Sequence, residues 1–133
     1  GFVVPGSAAK MRQMFAKLRE LRSAYPNEQD FLRERRRWEA TNPIDAGTIH
    51  DVVDHIDHIV KVAGIDHVGI GSDFDGIPTC PKQLEDVSTY PLITQELLNR
   101  GYNADEIGKI MSGNIVRVMK RAEEVATELQ AAN

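Results

Sequence analysis

The chain has 133 residues, 41% hydrophobic and 27% charged, which is the composition of an ordinary globular sequence able to bury a modest core. Its net charge of −4 hides an asymmetry: residues 1–40 hold nine Lys/Arg against five Asp/Glu, and residues 41–133 hold seven against fifteen. No apolar run approaches the roughly 18 residues that a bilayer span requires, and the single cysteine, Cys80, excludes an intrachain disulfide and a Cys-based zinc cluster.

The first five residues, Gly1-Phe2-Val3-Val4-Pro5, lack an initiator Met and any signal-peptide pattern, and read as the end of a strand entered in mid-course. Ser7 is a candidate N-cap. After it Met11, Met14, Phe15, Leu18 and Leu21 recur at helical spacing, which predicts an amphipathic helix ending before Pro26. A second helix is predicted from about Glu28 to Ala40, with Phe31, Leu32, Arg35 and Trp38 on one side, broken by Thr41-Asn42-Pro43. Neither helix carries obvious chemistry; both read as an insertion packed against a larger body. The basic run Arg33, Arg35, Arg36 and Arg37 can contact phosphates, but interleaved acids and few aromatics favour a solvated helix face.

The clearest helix is predicted over Thr48 to Gly64, where Ile49, Val52, Val53, Ile56, Ile59, Val60 and Ala63 form one apolar stripe and Gly64 stands at the left-handed cap position. A short strand, His67 to Ser72, follows and runs into the acidic loop Asp73-Phe74-Asp75-Gly76. Helix, tight loop, glycine-interrupted strand and acidic loop point to an α/β unit. Ile77 to Val87 reads as a loop with Pro78, Cys80 and Pro81. A helix is then expected from Ser88 or Thr89 to Gly101, with Pro91 in its first turn. Asn103 and Glu106 have capping-box spacing and open a short helix to about Met111. Past Gly113-Asn114, the residues Ile115, Val118, Met119, Ala122, Val125, Ala126 and Leu129 mark a final amphipathic helix. A lone strand cannot satisfy its own backbone groups, so its neighbours are expected upstream of Gly1.

Candidate chemistry centres on the strand. Gly69 and Gly71 strip side chains from one face and allow close approach of a backbone or ligand. In a (β/α)8 barrel the C-terminal ends of strands face the active site, and Asp73 occupies such a position. There a carboxylate can accept a proton from a metal-bound water or hold a substrate ammonium. Equally, Asp73 or Asp75 can simply cap a turn before Gly76; the pattern alone does not separate the two. His50, His55 and His58 lie on the preceding helix. His55 and His58 are three apart and can share a metal, but the helical wheel puts His58 opposite the apolar stripe and His55 at its flank, which favours a solvent-facing role. His67 opens the strand at the end remote from Asp73, and Cys80 has no spaced histidine partner.

The run Asp54-His55-Ile56-Asp57-His58-Ile59, followed by Val62-Ala63-Gly64-Ile65-Asp66-His67-Val68-Gly69-Ile70-Gly71-Ser72-Asp73-Phe74-Asp75-Gly76, resembles the membrane (renal) dipeptidase family. So do Leu84-Glu85-Asp86-Val87-Ser88, Tyr90-Pro91 and Gly113-Asn114-Ile115-Val116-Arg117-Val118. The likeness covers about residues 45–125, and Gly1-Phe2-Val3 followed by a long helical insertion is similar to bacterial members. The resemblance implies a (β/α)8 barrel with a binuclear zinc site, hydrolysing dipeptides through a metal-activated water. On that implication Asp73 is the catalytic carboxylate at the end of the last strand, while Asp75, Gly76 and Asn114 shape the loop and brace the last helix. The family's metal ligands (a His-x-Asp pair, a bridging Glu and two further His) have no counterpart motif here, so the chain is expected to contribute none.

The expectation is therefore the C-terminal part of a barrel: residues 1–44 the end of a strand plus a helical insertion, residues 45–133 the last βα units and terminal helices. It is helix-rich, with one clear strand near residues 67–72. Alone it is expected to be inactive, as a truncated product or a piece of a longer reading frame. Its partners are the dipeptide substrate, the rest of the barrel upstream, no nucleic acid, and a homodimer as a possibility. The competing reading, from another class, is a non-catalytic helical interaction module whose basic N-terminal half binds nucleic acid or an acidic partner.

Overall fold

The computed structural model describes residue 4, residues 6–77 and residues 79–132. The strand end expected at Gly1-Phe2-Val3 lies outside the described residues, as does Pro78. Helix α1 spans Ser7–Ala24 and α2 Glu28–Thr41. The Asn27 side chain caps α2 by accepting from the backbone N–H of Gln29 and Asp30. Met14, Leu21 and Phe31 are the buried apolar residues of this hairpin, and the Arg22 guanidinium sits 3.9 Å over the Phe31 ring while also pairing with Glu28. Ser7 is not the N-cap: Gly6 holds that position at φ 83, and Ser7, the first helical residue, donates its hydroxyl to the Asp45 carbonyl at 2.6 Å. The hydroxyl thus ties α1 to the chain entering the next helix.

That next helix, α3, spans Ile49–Ala63 and opens on a capping box that the sequence reading did not single out: Thr48 Oγ1 accepts from Asp51 N, and Asp51 accepts from Thr48 N at 2.7 Å. Its apolar stripe forms the core. Ile49, Val53 and Ile56 meet Val68, Leu84, Ile93, Leu97, Ile107 and Ile110, of which Val53, Leu97 and Ile110 are fully buried. Gly64 has the positive φ of 93 expected of a glycine cap, but its ψ of 156 lies outside the left-handed helical region.

The expected strand at 67–72 is not seen as a strand. His67 belongs to a 3-10 turn, Ile65–His67, and residues 68–72 enter no ladder with any described residue; among the described residues the one ladder-type contact is a parallel bridge between Thr48 and Lys82. The reason is the one that made a lone strand suspect: without a neighbour its backbone groups have no ladder. The segment is nonetheless held at its start. The buried Asn114 amide donates to the carbonyls of Ile65 (2.7 Å) and Val68 (2.8 Å), Arg117 donates to the Asp66 carbonyl, and Lys109 pairs with the Asp66 carboxylate.

Beyond the loop, a 3-10 turn at Val87–Thr89 leads into α4, Tyr90–Asn99, with Pro91 in its first turn. Helix α5, Ala104–Gly108, opens on the capping box of Asn103 and Glu106. The break expected at Gly113-Asn114 does not occur. Lys109–Gly113 form a π-helical turn that continues directly into α6, Asn114–Ala131. Glycine relieves crowding there, since a Cβ at Gly113 would stand a tight 3.1 Å from the Gly108 carbonyl oxygen. Helix α6 projects beyond the core: Ile115, Val118, Met119 and Leu129 are all exposed.

Helices α3 and α4 are locked by one cation. Arg100, just past α4, reaches Asp54 (2.5 Å), Asp57 (2.6 Å) and Glu96 (2.9 Å), and donates to the His50 carbonyl. Tyr102 donates its hydroxyl to Asp57 at 2.7 Å. Hydrogen bonds from His50 and Arg100 hold the Glu96 carboxyl at about 2, far below its ordinary 4.5. A carboxyl depressed on folding stabilises fully above its unfolded value and loses that contribution as pH falls toward the folded one. Thermal stability is therefore expected to decline between pH 4.5 and 2, and Glu96→Gln to flatten that part of a melting-temperature profile. Arg100→Met is expected to cost about 2 kcal/mol in urea unfolding, because three carboxylates lose their common cation. Asn114→Ala is expected to cost about 2 kcal/mol by leaving two carbonyls unpaired, with faster amide exchange around residues 65–68 as the local signature.

Candidate functional site

Asp73 stands at the end of segment 68–72 in an unusual backbone state. Its φ is 56, in the left-handed region that non-glycine residues seldom occupy and that Asp tolerates better than most. The turn it begins is closed by Gly76 N–H donating to the Asp73 carbonyl at 2.9 Å. A Cβ on Gly76 would collide with the Asp73 carboxylate, whose Cγ would lie 2.9 Å away, so Gly76 makes room for that side chain. Phe74, the next residue, is half-buried and tilts against the Tyr90 ring, with centroids 6.2 Å apart. The Asp73 side chain is exposed and makes no hydrogen bond with any described residue. Turn formation and carboxylate presentation, which the sequence leaves as alternatives, thus coexist: the backbone makes the turn and the side chain is left over. Asp75 is exposed on the same turn.

The histidines do not converge. His50 lies 3.0 Å from Glu96 through Nδ1, His55 and His58 are exposed on α3, and His67 sits in the 3-10 turn before the segment. No group of three or more His, Cys, Asp or Glu among the described residues could hold a metal ion. A binuclear zinc site does not fit this donor set.

Behind the segment lies an apolar cavity of about 170 Å³, bordered by Val52, Ile70, Phe74, Cys80 and Tyr90. Cys80 is half-buried there with no His, Asp or Glu on the cavity wall to activate it. Thr79 Oγ1 is buried without a hydrogen-bond partner among the described residues. In the basic N-terminal half, five of the nine cations are neutralised within or between α1 and α2: Lys17 by Glu20, Arg22 by Glu28, Arg33 by Asp30 and Glu34, Arg35 by Glu39, and Arg37 by Glu34.

Arg100 carries no signal of its own in the sequence, although Asp54 and Asp57, three apart on one helix, point to a cation partner. Asn114, expected to brace the last helix, ties the start of that helix to the chain that leads to Asp73.

Residues 26–133 match the model of the family described as membrane dipeptidase, Peptidase family M19. The chain belongs to that family. It is 48% identical over 85 residues to the dipeptidase aclJ of Aspergillus oryzae, covering 64% of this chain and 20% of the relative. It is 48% identical over 102 residues to an uncharacterized dipeptidase of Schizosaccharomyces pombe, covering 76% of this chain and 23% of the relative. The crystal structure of the probable dipeptidase PvdM from Pseudomonas aeruginosa superposes with a TM-score of 0.55 at 29% identity, over 80% of this chain and 32% of that one. The chain thus spans about a fifth of the length of the curated dipeptidases it matches.

If the Asp73 backbone serves only the turn, glycine is the better residue for it. Asp73→Gly is expected to leave stability equal or higher, and Asp73→Ala to lower it by about 1 kcal/mol, in chemical denaturation. Gly76→Ala is expected to be the more damaging neighbour, displacing the Asp73 carboxylate and shifting the Phe74 and Tyr90 aromatic resonances.

Proposed function

We propose that this chain is the C-terminal portion of a zinc-dependent dipeptidase barrel, with residues 1–44 a strand end and helical insertion and residues 45–133 the last βα units and terminal helices. In this reading its contribution to peptide-bond hydrolysis is the Asp73 carboxylate. The observation that carries the reading is the state of that residue. It is presented in a left-handed turn at the end of a glycine-lined segment, with its side chain free of described partners. A carboxylate so placed can take a proton from an attacking water or hold the ammonium of a dipeptide. Both roles use the same two oxygens, and both need a substrate brought to the open face of the segment.

In this reading the metal is held by the rest of the parent; among the described residues no group of three or more His, Cys, Asp or Glu could hold one. What these residues do is position. Asn114 fixes where the segment starts, Arg100 fixes α3 against α4, and Gly76 keeps the space over the turn clear. Alone, the chain is expected to hydrolyse no dipeptide.

A chimera tests the reading. The region of the Schizosaccharomyces pombe relative that this chain matches is replaced, in one covalent chain, by the matching residues of this sequence. The chimera is expected to hydrolyse dipeptides, and the same chimera with Asp73→Asn to lose at least a hundredfold in kcat while keeping its zinc content. An inactive but folded chimera, or loss of zinc on Asp73→Asn, would count against the assignment.

A further inference from the structure

Two stretches of the family likeness, Leu84 to Ser88 and Tyr90-Pro91, have no part in the site described so far. In the fold they place one aromatic ring. Leu84 is buried in the core cluster, and Asp86 caps the 3-10 turn after it by accepting from the Ser88 N–H at 2.8 Å. Tyr90 follows as the first residue of α4, half-buried against the core to which the same helix gives Ile93 and Leu97. Its ring is a wall that the surrounding fold holds still.

The ring it meets is that of Phe74, with centroids 6.2 Å apart and planes inclined at 45°. Phe74 is joined directly to Asp73, and Asp73 has little else to hold it. The Asp73 carboxylate makes no hydrogen bond with a described residue, so its direction follows from the backbone. That backbone is left-handed at φ 56, an unfavourable state for a residue with a Cβ. The Gly76 N–H to Asp73 carbonyl bond that closes the turn joins two exposed residues, where water competes for both groups. One such bond does not by itself outweigh the strained backbone. The seating of Phe74 is the remaining constraint on the turn.

That seating depends on Tyr90. Both rings border the apolar cavity of about 170 Å³, beside Ile70 and Cys80. A cavity of about 150 Å³ is enough to take up benzene, so there is room for a phenyl ring. Once the Tyr90 ring is gone, Phe74 can drop into this space and draw the Asp73 backbone with it.

We propose that Tyr90 is a positioning residue for hydrolysis, setting through the Phe74 ring where the Asp73 carboxylate stands. The contact is made by the ring, so Phe serves at position 90, whereas Leu keeps an apolar side chain but no ring. This inference rests on the dipeptidase reading above, and its test separates the two.

The covalent chimera with the Schizosaccharomyces pombe relative provides the test. Tyr90→Leu is expected to lower kcat/KM at least about tenfold, as misplacement of a reacting group does, with zinc content unchanged. Tyr90→Phe is expected to match the unmodified chimera. In the Asp73→Asn background, Tyr90→Leu is expected to cost less than about twofold more, because the carboxylate it would misplace is gone. The same loss in both backgrounds marks a merely structural role and overturns the proposal. So does Tyr90→Leu with full activity or with lost zinc, or Tyr90→Phe as impaired as Tyr90→Leu. In the free 133-residue chain, Tyr90→Leu is expected to shift the Asp73 and Gly76 amide resonances while the Asn114 side-chain amide stays bonded to Ile65 and Val68. Unmoved Asp73 resonances overturn the proposal as well. An inactive unmodified chimera overturns the dipeptidase reading, and the positioning role with it.

Discussion

The buried amide of Asn114 has two hydrogens, and both are committed to the carbonyls of Ile65 and Val68. Through them the π-helical turn at Lys109–Gly113 and the chain leading to Asp73 share one geometry. A main-chain carbonyl left unpaired in such a place costs more than a hydrogen bond gains, so the amide admits one arrangement and penalises the rest. The π turn leads directly into Asn114, and Gly113 lets it close against the Gly108 carbonyl. Without this constraint the segment after α3 would be defined by Arg117 and Lys109 at Asp66 and by the side chains of Val68 and Ile70.

The second organising feature is electrostatic. Asp54 and Asp57 sit within the run that carries the family likeness, and both are held by Arg100 at the far end of α4. The most recognisable stretch of the sequence is therefore joinery between two helices. Glu96, shared by His50 and Arg100, completes it at one edge, and Tyr102 at the other.

Much of this was legible from residue types. The stripe of α3, the Asn103–Glu106 box and the two helices α1 and α2 all follow from periodicity and capping chemistry, because those signals are local. What was not legible was non-local. Residues 67–72 read as a strand because glycine-spaced apolar residues before an acidic turn look like one, but strand character is conferred by a neighbour, and no described residue serves as one. The continuity of α5 through to α6 was hidden because Gly113-Asn114 carries the composition of a stop. Ser7 looked like a cap, but its hydroxyl turned to the Asp45 carbonyl, a partner 38 residues away that no local rule anticipates.

The two ends of segment 68–72 are held unequally. At residues 65–68 an amide, a guanidinium and an ammonium grip the chain; at residues 73–76 one backbone hydrogen bond and one tilted ring contact do. Mechanically this is a cantilever, clamped at the root and lightly guyed at the tip. Positional error in such a beam grows with distance from the clamp, and Asp73 stands at the tip. The position of its carboxylate is thus set less by the clamp than by the Gly76 hydrogen bond and the Phe74–Tyr90 ring contact at the tip itself.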